Sequence, residues 1–388
     1  DRSSAASDVY KRQLHELASR PVAALPELVE RLLGEDIAAG REAVAVLEPD
    51  DAGRYDPFPL TDLQHAYFAG RAESFALGGV STHFFAEYEG TGLDTGRLES
   101  SLRALVARHD MLRAVVEPDG TQRVLAPGDT PPLEMACYRL DDADPATVDR
   151  HLRRIRDEMS HQVLPLGRWP LFDVRATRLP GGRTRVHLGL DLLIFDVWSL
   201  RLFLDQWRRG YDDPGRGLPE PGLRFRDYVL ALEGPHAAAA RERDAAYWRR
   251  RAAELPPGPA LPYAVSPDSV TCPRFSRREA VLPAAAWNRI RERAAAHGVT
   301  PSAVLMASFA VVLGRWSRET RFSLTVPTFN RLPVHPDIES VIGDFTTVTL
   351  LEVDLRAGEG LGALAARVQE QLWQDLQHRG GGVGVVRE

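Results

Sequence analysis

The chain has 388 residues, of which 44% are hydrophobic and 26% charged, which is the composition of a soluble globular protein, and its length favours two domains. The formal net charge of −6 does not indicate binding to nucleic acid. No run of the sequence approaches the ~18 consecutive apolar residues that a membrane span needs. The two cysteines, Cys137 and Cys272, form no CxxC pair, so we predict no disulfide and no zinc site. This cysteine usage also favours a cytoplasmic location.

Residues 1–54 are predicted to be a leader or linker. Within them, residues 14–49 have the pattern of one or two polar helices. Lys11 is the only lysine of the chain, and all the other residues counted as Lys or Arg are arginines. We therefore expect residues 1–13 not to be native.

Residues 55–220 alternate between strand and helix patterns and are predicted to form an N-terminal lobe. On the last helix we expect Trp198, Leu202 and Leu204 on or near the apolar side. The predicted elements are, in chain order, a strand at 82–90, a helix capped by Asp94, a hairpin at 112–125, a helix near 145–160, a strand pair at 171–191 and a helix from Val197.

Residues 221–267 are predicted to be a connector, and residues 268–388 a C-terminal lobe. The connector has a helix near 236–254 and a proline-rich stretch at 255–267, which should lie extended over a surface. The lobe is predicted to contain a strand at 278–283, a helix ended by Gly298, a helix capped by Thr300, strands at 321–329 and 346–355, and a helix at 360–378.

The stretch LGLDLLIFDVWSLRLFL (188–204) changes from a strand period to a helix period in its middle. Asp191, Asp196 and Ser199 lie at this change, within an apolar run. Buried carboxylates need partners, so the spacing marks a candidate site.

Several strings along the chain together resemble the heterocyclization domains of nonribosomal peptide synthetases, in their order and spacing. This resemblance implies a fold of the α/β (α+β) class, with two lobes similar to chloramphenicol acetyltransferase arranged in a V around a tunnel. The strings are FPLTDLQHAYFAGR (58–71), RHDMLRAVV (108–116), DLLIFDVWS (191–199), LPPGPALPYAVSP (255–267), TPSAVLMASFAVVLGRW (300–316), GDFTTVTLL (343–351) and LWQDLQHR (372–379).

The resemblance also assigns roles to the candidate residues. Ordinary condensation domains carry His-His-x-x-x-Asp-Gly at this strand-to-helix turn, and here Asp191 and Leu192 stand in place of the two histidines. The second histidine, which is the usual candidate for guiding the attacking amine, is therefore missing. The signature Asp-x-x-x-x-Asp-x-x-Ser implies a catalytic set of Asp191, Asp196 and Ser199. Asn330, Asp344 and Thr346 lie at predicted strand ends of the second lobe. They are expected either to face the tunnel and orient the substrate or to hydrogen-bond at the strand ends.

The implied reaction has two parts. The amine of a carrier-bound Cys, Ser or Thr attacks an upstream acyl thioester, and its side chain then attacks the new amide, with loss of water, to give a thiazoline or oxazoline. The implied partners are upstream and downstream peptidyl carrier domains, which hold the substrates on phosphopantetheine, and an adjacent adenylation domain. No metal or directly bound cofactor is implied.

Each of these residues also has a structural interpretation. Asp196 is expected to hold the turn by accepting hydrogen bonds or pairing with an arginine, and Ser199 to cap its helix. For Asp191, direct chemistry, scaffolding and orientation of the substrate all remain open. A metal between the two acids is disfavoured, since no histidine or third carboxylate lies at ligand spacing. His109 is expected to be a buried histidine with a hydrogen-bond partner.

Two alternatives to heterocyclization remain open. One is plain condensation or acyl transfer without ring closure, which the missing second histidine disfavours. The other is a non-catalytic module that docks carriers.

The resemblance implies two further segments in the C-terminal lobe, of the forms Pro-Val-Val-Phe-Thr-Ser and Pro-Gln-Val-x-Leu-Asp. Their Thr and Asp form the dyad that the family uses for cyclodehydration, and neither segment occurs in these 388 residues. We therefore expect this chain to have an incomplete second lobe with an exposed apolar edge, and to close no ring by itself.

Overall fold

The computed structural model describes residues 47–378 apart from Arg216 and Leu218. The polar helices predicted between residues 14 and 49 thus lie almost wholly outside the described residues. Among the described helices, none is by itself long and apolar enough to cross a membrane. The helices Ala284–Ala296 and Pro301–Trp316 reach that length and apolar content only when taken together, and they are bent by 102° relative to one another.

The first half of the described chain follows the predicted order of elements. Its helices and strands are β1 (Phe58–Pro59), α1 (Asp62–Ala69), β2 (His83–Thr91), α2 (Thr95–Arg108), β3 (Ala114–Val116), β4 (Thr121–Val124), β5 (Ala136–Arg139), α3 (Pro145–Met159), β6 (Phe172–Leu179), β7 (Arg183–Asp191) and α4 (Val197–Asp212). The predicted strands, hairpin and helices are confirmed. Asp94 caps α2 as expected, accepting a hydrogen bond from the Arg97 amide at 3.0 Å.

The second half agrees with prediction except at two places. Its elements are α5 (Phe225–Glu233), α6 (Ala238–Ala252), α7 (Ala284–Ala296), α8 (Pro301–Trp316), β8 (Arg321–Phe329), β9 (Thr346–Asp354) and α9 (Leu361–Leu376). Helix α5 was not predicted. The strand predicted at 278–283 was wrong: this stretch is irregular, and Val281 is 83% exposed, because no neighbouring strand in the described chain pairs with it.

The described strands form three sheets. β2, β7, β6 and β5 make a four-stranded sheet in that order, β1, β4 and β3 make a small one, and β8 pairs with β9. All pairs are antiparallel except β5 with β6. Asp191 ends β7 opposite His83, so the change of period in the sequence coincides with the end of a central strand of the four-stranded sheet.

Helix α4 packs against α2, and its most buried residues repeat every three to four positions from Ser199. Ser199, Phe203, Gln206 and Trp207 are its buried residues, whereas Trp198, Leu202 and Leu204 are only half-buried. Leu202 and Leu204 pack against the first core, so the expectation that they lie on or near the apolar side is confirmed. Trp198 is also half-buried and donates a hydrogen bond to the Glu339 carbonyl at 2.9 Å.

A second core lies between α8, α9 and the β8–β9 pair, around Ala307, Ala310 and Phe322. Small residues line the buried side of α8, so the helix packs closely on its neighbours. Its larger apolar residues face outward and are about half exposed or more: Leu305, Phe309, Val312 and Trp316.

The two halves of the chain meet at α5. Phe225 lies between Phe58 and Phe345, with ring centroids 6.4 and 5.0 Å away. Gly343 is required beside it, because a Cβ there would approach the Phe225 ring to 2.3 Å. Residues 332–345 therefore pack in the first core, and the lobe boundaries near 220 and 267 stay a prediction.

The proline-rich stretch at 255–267 lies over a surface, as predicted, and its first residues run alongside strand β8. The Pro257 carbonyl accepts a hydrogen bond from the Ser323 amide at 2.9 Å, and the Pro256 carbonyl accepts one from the Ser323 hydroxyl at 2.6 Å. The stretch thus covers part of the edge of β8 without belonging to the sheet.

Candidate functional site

A cavity of about 510 Å³ opens where the two halves of the chain meet. Its walls come from the β1–α1 turn, from α5 and α6, and from the facing ends of β8 and β9. Asn330, Asp344 and Thr346, the three predicted substrate-binding residues, all line it. The structure thus brings together residues from two strand ends, while their binding of substrate stays a prediction.

Asp344 is a buried acid without a countercharge in the described part of the chain. Its carboxylate Oδ1 accepts a hydrogen bond from the Thr346 amide at 3.1 Å, whereas Oδ2 has no partner among the described residues. Burial raises the pKa of Asp344 to about 8; the hydrogen bonds from Thr346 oppose this, and the negative charge of Asp196 adds to it. A carboxyl group in this state is mostly protonated at neutral pH.

This pKa predicts a measurable pH dependence of stability. A pKa raised from 3.8 to about 8 means that the folded chain holds a proton that the unfolded chain has lost, so stability falls as pH rises from about 4 to about 8. We expect Asp344→Asn to remove a slope of up to about 1.4 kcal/mol per pH unit over this window. Denaturant unfolding of wild type and variant at several pH values measures the difference. Parallel stability curves would contradict the expectation.

Asp191 lies at the end of β7 with all its hydrogen-bonding positions directed to protein groups. It forms a buried ion pair with Arg71 and accepts a hydrogen bond from the Ser81 hydroxyl at 2.9 Å. Its Oδ1 accepts the Leu193 amide at 3.1 Å, which shapes the turn after the strand. The carboxylate is therefore charge-compensated and firmly positioned.

Asp196 is the N-cap of α4. Its Oδ1 accepts the Ser199 amide at 2.6 Å, which satisfies a donor that the first helical turn leaves free. The Arg331 guanidinium lies 3.2 Å from Oδ2, and also stacks over the Phe345 ring at 3.7 Å. The prediction that Asp196 holds the turn by capping and by an arginine is confirmed.

The Ser199 hydroxyl has a different role from the predicted cap. It donates to the Gly343 carbonyl at 2.9 Å and accepts from the Gly343 amide at 3.1 Å, and Arg331 donates to it at 3.1 Å. The capping prediction for Ser199 was wrong, because Asp196 already caps this helix. Ser199 instead joins α4 to the loop that leads to Asp344.

The two acids of the motif thus pair with separate arginines, which explains their place in an apolar run. Sequence reasoning missed both Arg71 and Arg331, although Arg71 closes the string 58–71 and Arg331 directly follows Asn330. It also missed Tyr67, whose pKa is raised by burial and by the charges of Asp344 and Asp191. Tyr67 is therefore a neutral phenol close to both acids.

His109, predicted to be a structural histidine, is buried with Nε2 at 2.7 Å from the Gln206 Oε1. Burial lowers its pKa to about 4, so it is uncharged at neutral pH. The prediction is confirmed, and His109 does not line the cavity. Within the described residues, no group of three or more His, Cys, Asp or Glu side chains could hold a metal ion.

Comparison with known proteins places this geometry in context. A family model for the condensation domain matches residues 57–388. The EpoB cyclization-docking bidomain of a nonribosomal peptide synthetase from Sorangium cellulosum is similar in structure, with a TM-score of 0.81 and 38% identity over 93% of this chain and 73% of that one. The mixed α/β fold implied by the resemblance is thereby confirmed.

Two curated relatives are similar in sequence. Pyochelin synthetase PchF of Pseudomonas aeruginosa is 37% identical over 367 residues, which cover 92% of this chain and 20% of that protein. Phenyloxazoline synthase MbtB of Mycobacterium tuberculosis is 37% identical over 355 residues, which cover 90% and 25%. The chain therefore spans a fifth to a quarter of the length of these relatives.

Proposed function

Because this chain belongs to the condensation-domain family, and within it to the heterocyclization domains of nonribosomal peptide synthetases, we propose that it makes a heterocycle in two steps. It would join an upstream acyl group to Cys, Ser or Thr through an amide, and then close the side chain onto that amide to give thiazoline or oxazoline. The observation that carries this proposal is the similarity in both sequence and fold to a solved cyclization domain.

The proposed substrates are tethered rather than free. They would arrive on the phosphopantetheine arms of an upstream and a downstream carrier domain, after an adjacent adenylation domain has selected the amino acid, and the reaction would take place in the cytoplasm. The cavity of about 510 Å³ is large enough for two small acyl groups held end to end. We propose no metal and no directly bound cofactor.

The geometry supports different roles for the predicted site residues. Asp191, Asp196 and Ser199 use their polar atoms on Arg71, on Arg331 and on backbone groups, so we propose that they hold the cavity wall in position. The lining residues Asn330, Asp344 and Thr346 are proposed to contact the substrate.

The chemistry explains why the wall must be rigid and poor in water. An amide is a weak electrophile and hydroxide a poor leaving group, so the second step needs a well-placed proton donor and acceptor. Excluding water strengthens each hydrogen bond to the reacting atoms and protects the acyl thioester from hydrolysis.

The proposal predicts the mass of the carrier-bound product. In a polypeptide that carries this chain together with the two later segments implied by the resemblance, matched donor and cysteine-loaded acceptor carriers should yield a product lighter by one water than the simple amide. An acceptor loaded with alanine is the control, since it has no thiol and should stop at the amide. Mass spectrometry distinguishes the outcomes. Amide without ring closure from cysteine would favour plain condensation, and no product would favour a docking module.

A further inference from the structure

Asp344 differs from Asp191 and Asp196, the two acids of the strand-to-helix turn, in having no cation beside it among the described residues. Asp191 is paired with Arg71 and Asp196 with Arg331, whereas no ion pair of the described residues includes Asp344. The Asp344 side chain is 1% exposed, and its Oδ2 is without a hydrogen-bond partner in the described part of the chain. A buried polar atom without a partner is costly, so such an atom at a cavity wall needs an explanation.

The amide-forming step is accelerated by a positioned group that both accepts and donates a proton. When the acceptor amine attacks the thioester, its nitrogen must lose a proton, and the departing sulfur must gain one. Leu192 stands where ordinary condensation domains carry the histidine that guides the amine. The described residues that line the cavity include no histidine, and Asp344 is their most deeply buried acid.

We propose that Asp344 is a catalytic residue of amide formation, which transfers a proton from the attacking nitrogen to the departing sulfur. This inference rests on the proposed function and adds to it the group that handles the protons of its first step. It is separate from ring closure, for which the resemblance implies a Thr–Asp dyad in later segments.

The proton balance needs no further reactant. The amine nitrogen forms a bond to the thioester carbon, and the carbon–sulfur bond breaks as its electron pair moves to sulfur. The neutral carboxyl of Asp344 gives its proton to that sulfur, which leaves as the phosphopantetheine thiol. The resulting carboxylate takes the proton from nitrogen, so that Asp344 returns to its neutral form and the amide is complete.

The local structure suits this exchange. The Thr346 amide holds Oδ1, which fixes the orientation of the carboxyl group and leaves Oδ2 as its free atom. The Asp344 backbone is tied in place through its neighbour Gly343, which is bound to Ser199 on both its amide and its carbonyl. A positioned acid with a pKa close to the working pH transfers protons in both directions efficiently.

The test compares Asp344→Asn with Asp375→Asn in the intact protein. Asp375 is a control for burial, because it is also fully buried with an unpartnered Oδ2 among the described residues. It differs in lying on α9, outside the lining of the cavity, and in having the Arg251 guanidinium 3.7 Å from its Oδ1. Single-turnover amide formation between loaded carriers, quenched and measured by mass spectrometry, should slow by about 100-fold or more in Asp344→Asn. It should change little in Asp375→Asn.

A pH profile separates a chemical role from a structural one. The wild-type rate should fall as pH rises through about 8, where Asp344 loses its proton, and Asp344→Asn should lack this fall. A wild-type rate in Asp344→Asn, or equal losses in both variants, would overturn the role. If Asp344→Asn does not fold, as judged by circular dichroism, a wild-type profile without the fall near pH 8 would overturn it. No amide from the wild type would instead contradict the proposed function, and this role with it.

Discussion

Replacing Asp196 with alanine is expected to lower the free energy of unfolding by about 3–5 kcal/mol. The side chain of Asp196 is fully buried and that of Arg331 is 5% exposed, so the variant leaves a guanidinium without its countercharge. The variant also removes the N-cap hydrogen bond to the Ser199 amide, which contributes about 1 kcal/mol. Chemical denaturation of the intact protein measures the loss.

Asp205 provides the matched control on the same helix. Its carboxylate pairs with Arg209 at 2.9 Å on the exposed side of α4. Exposed ion pairs contribute about 0–1 kcal/mol, so Asp205→Ala should change stability little. Similar losses in both variants would show that Asp196 acts only as a charge on α4, without the link to Arg331.

Asp191→Ala should also cost about 3–5 kcal/mol, because Arg71 is then buried with no countercharge. The side chains are 9% and 1% exposed for Arg71 and Asp191. We expect Arg71→Ala combined with Asp191→Ala to cost less than the sum of the single variants, by about 0.5–3 kcal/mol, since the double variant leaves neither charge unpaired. A double-mutant cycle by denaturation measures this coupling.

Glu89 is the control for that cycle. It lies on β2 of the same sheet and pairs with Arg185 at 2.5 Å, with both side chains partly exposed to solvent. Glu89→Ala should therefore cost no more than about 1 kcal/mol. Additive effects of Arg71→Ala and Asp191→Ala would mean that this pair is not coupled, and would reopen a direct chemical role for Asp191.

The ion pair between Arg331 and Asp196 is expected to affect activity as well as stability. Arg331 joins the start of α4 to the segment between Asn330 and Asp344, both of which line the cavity. Loosening this contact is expected to shift the lining residues relative to one another. Losses of activity in Asp196→Ala therefore have to be compared with the stability loss before a chemical role is assigned.

Local features of the fold could be predicted from the sequence because they depend on neighbours in the chain. Asp94 and Thr300 precede their helices by one residue, and their side chains accept hydrogen bonds from the first turn. The change of period between β7 and α4 was visible for the same reason, as was the role of Asp196 in holding this turn. The order of the strings was sufficient to identify the family.

Predictions failed where a residue's environment depends on distant segments. Val281 has the pattern of a strand, but it finds no partner strand in the described chain. Ser199 lies in the first turn of α4 and was expected to cap it, yet it binds Gly343, which is 144 residues away in the sequence.

The sequence by itself determined the family and most of the succession of strands and helices, and it indicated the candidate site acids, since these follow from local periodicity, caps and motif spacing. Only the tertiary structure decided which acids are paired with a cation. Arg71 and Arg331 lie 120 and 135 residues from the carboxylates that they contact, and no local pattern indicates such pairs. Asp344, at the wall of the cavity, has no cation beside it in the described ranges, and this burial without a countercharge raises its pKa to about 8.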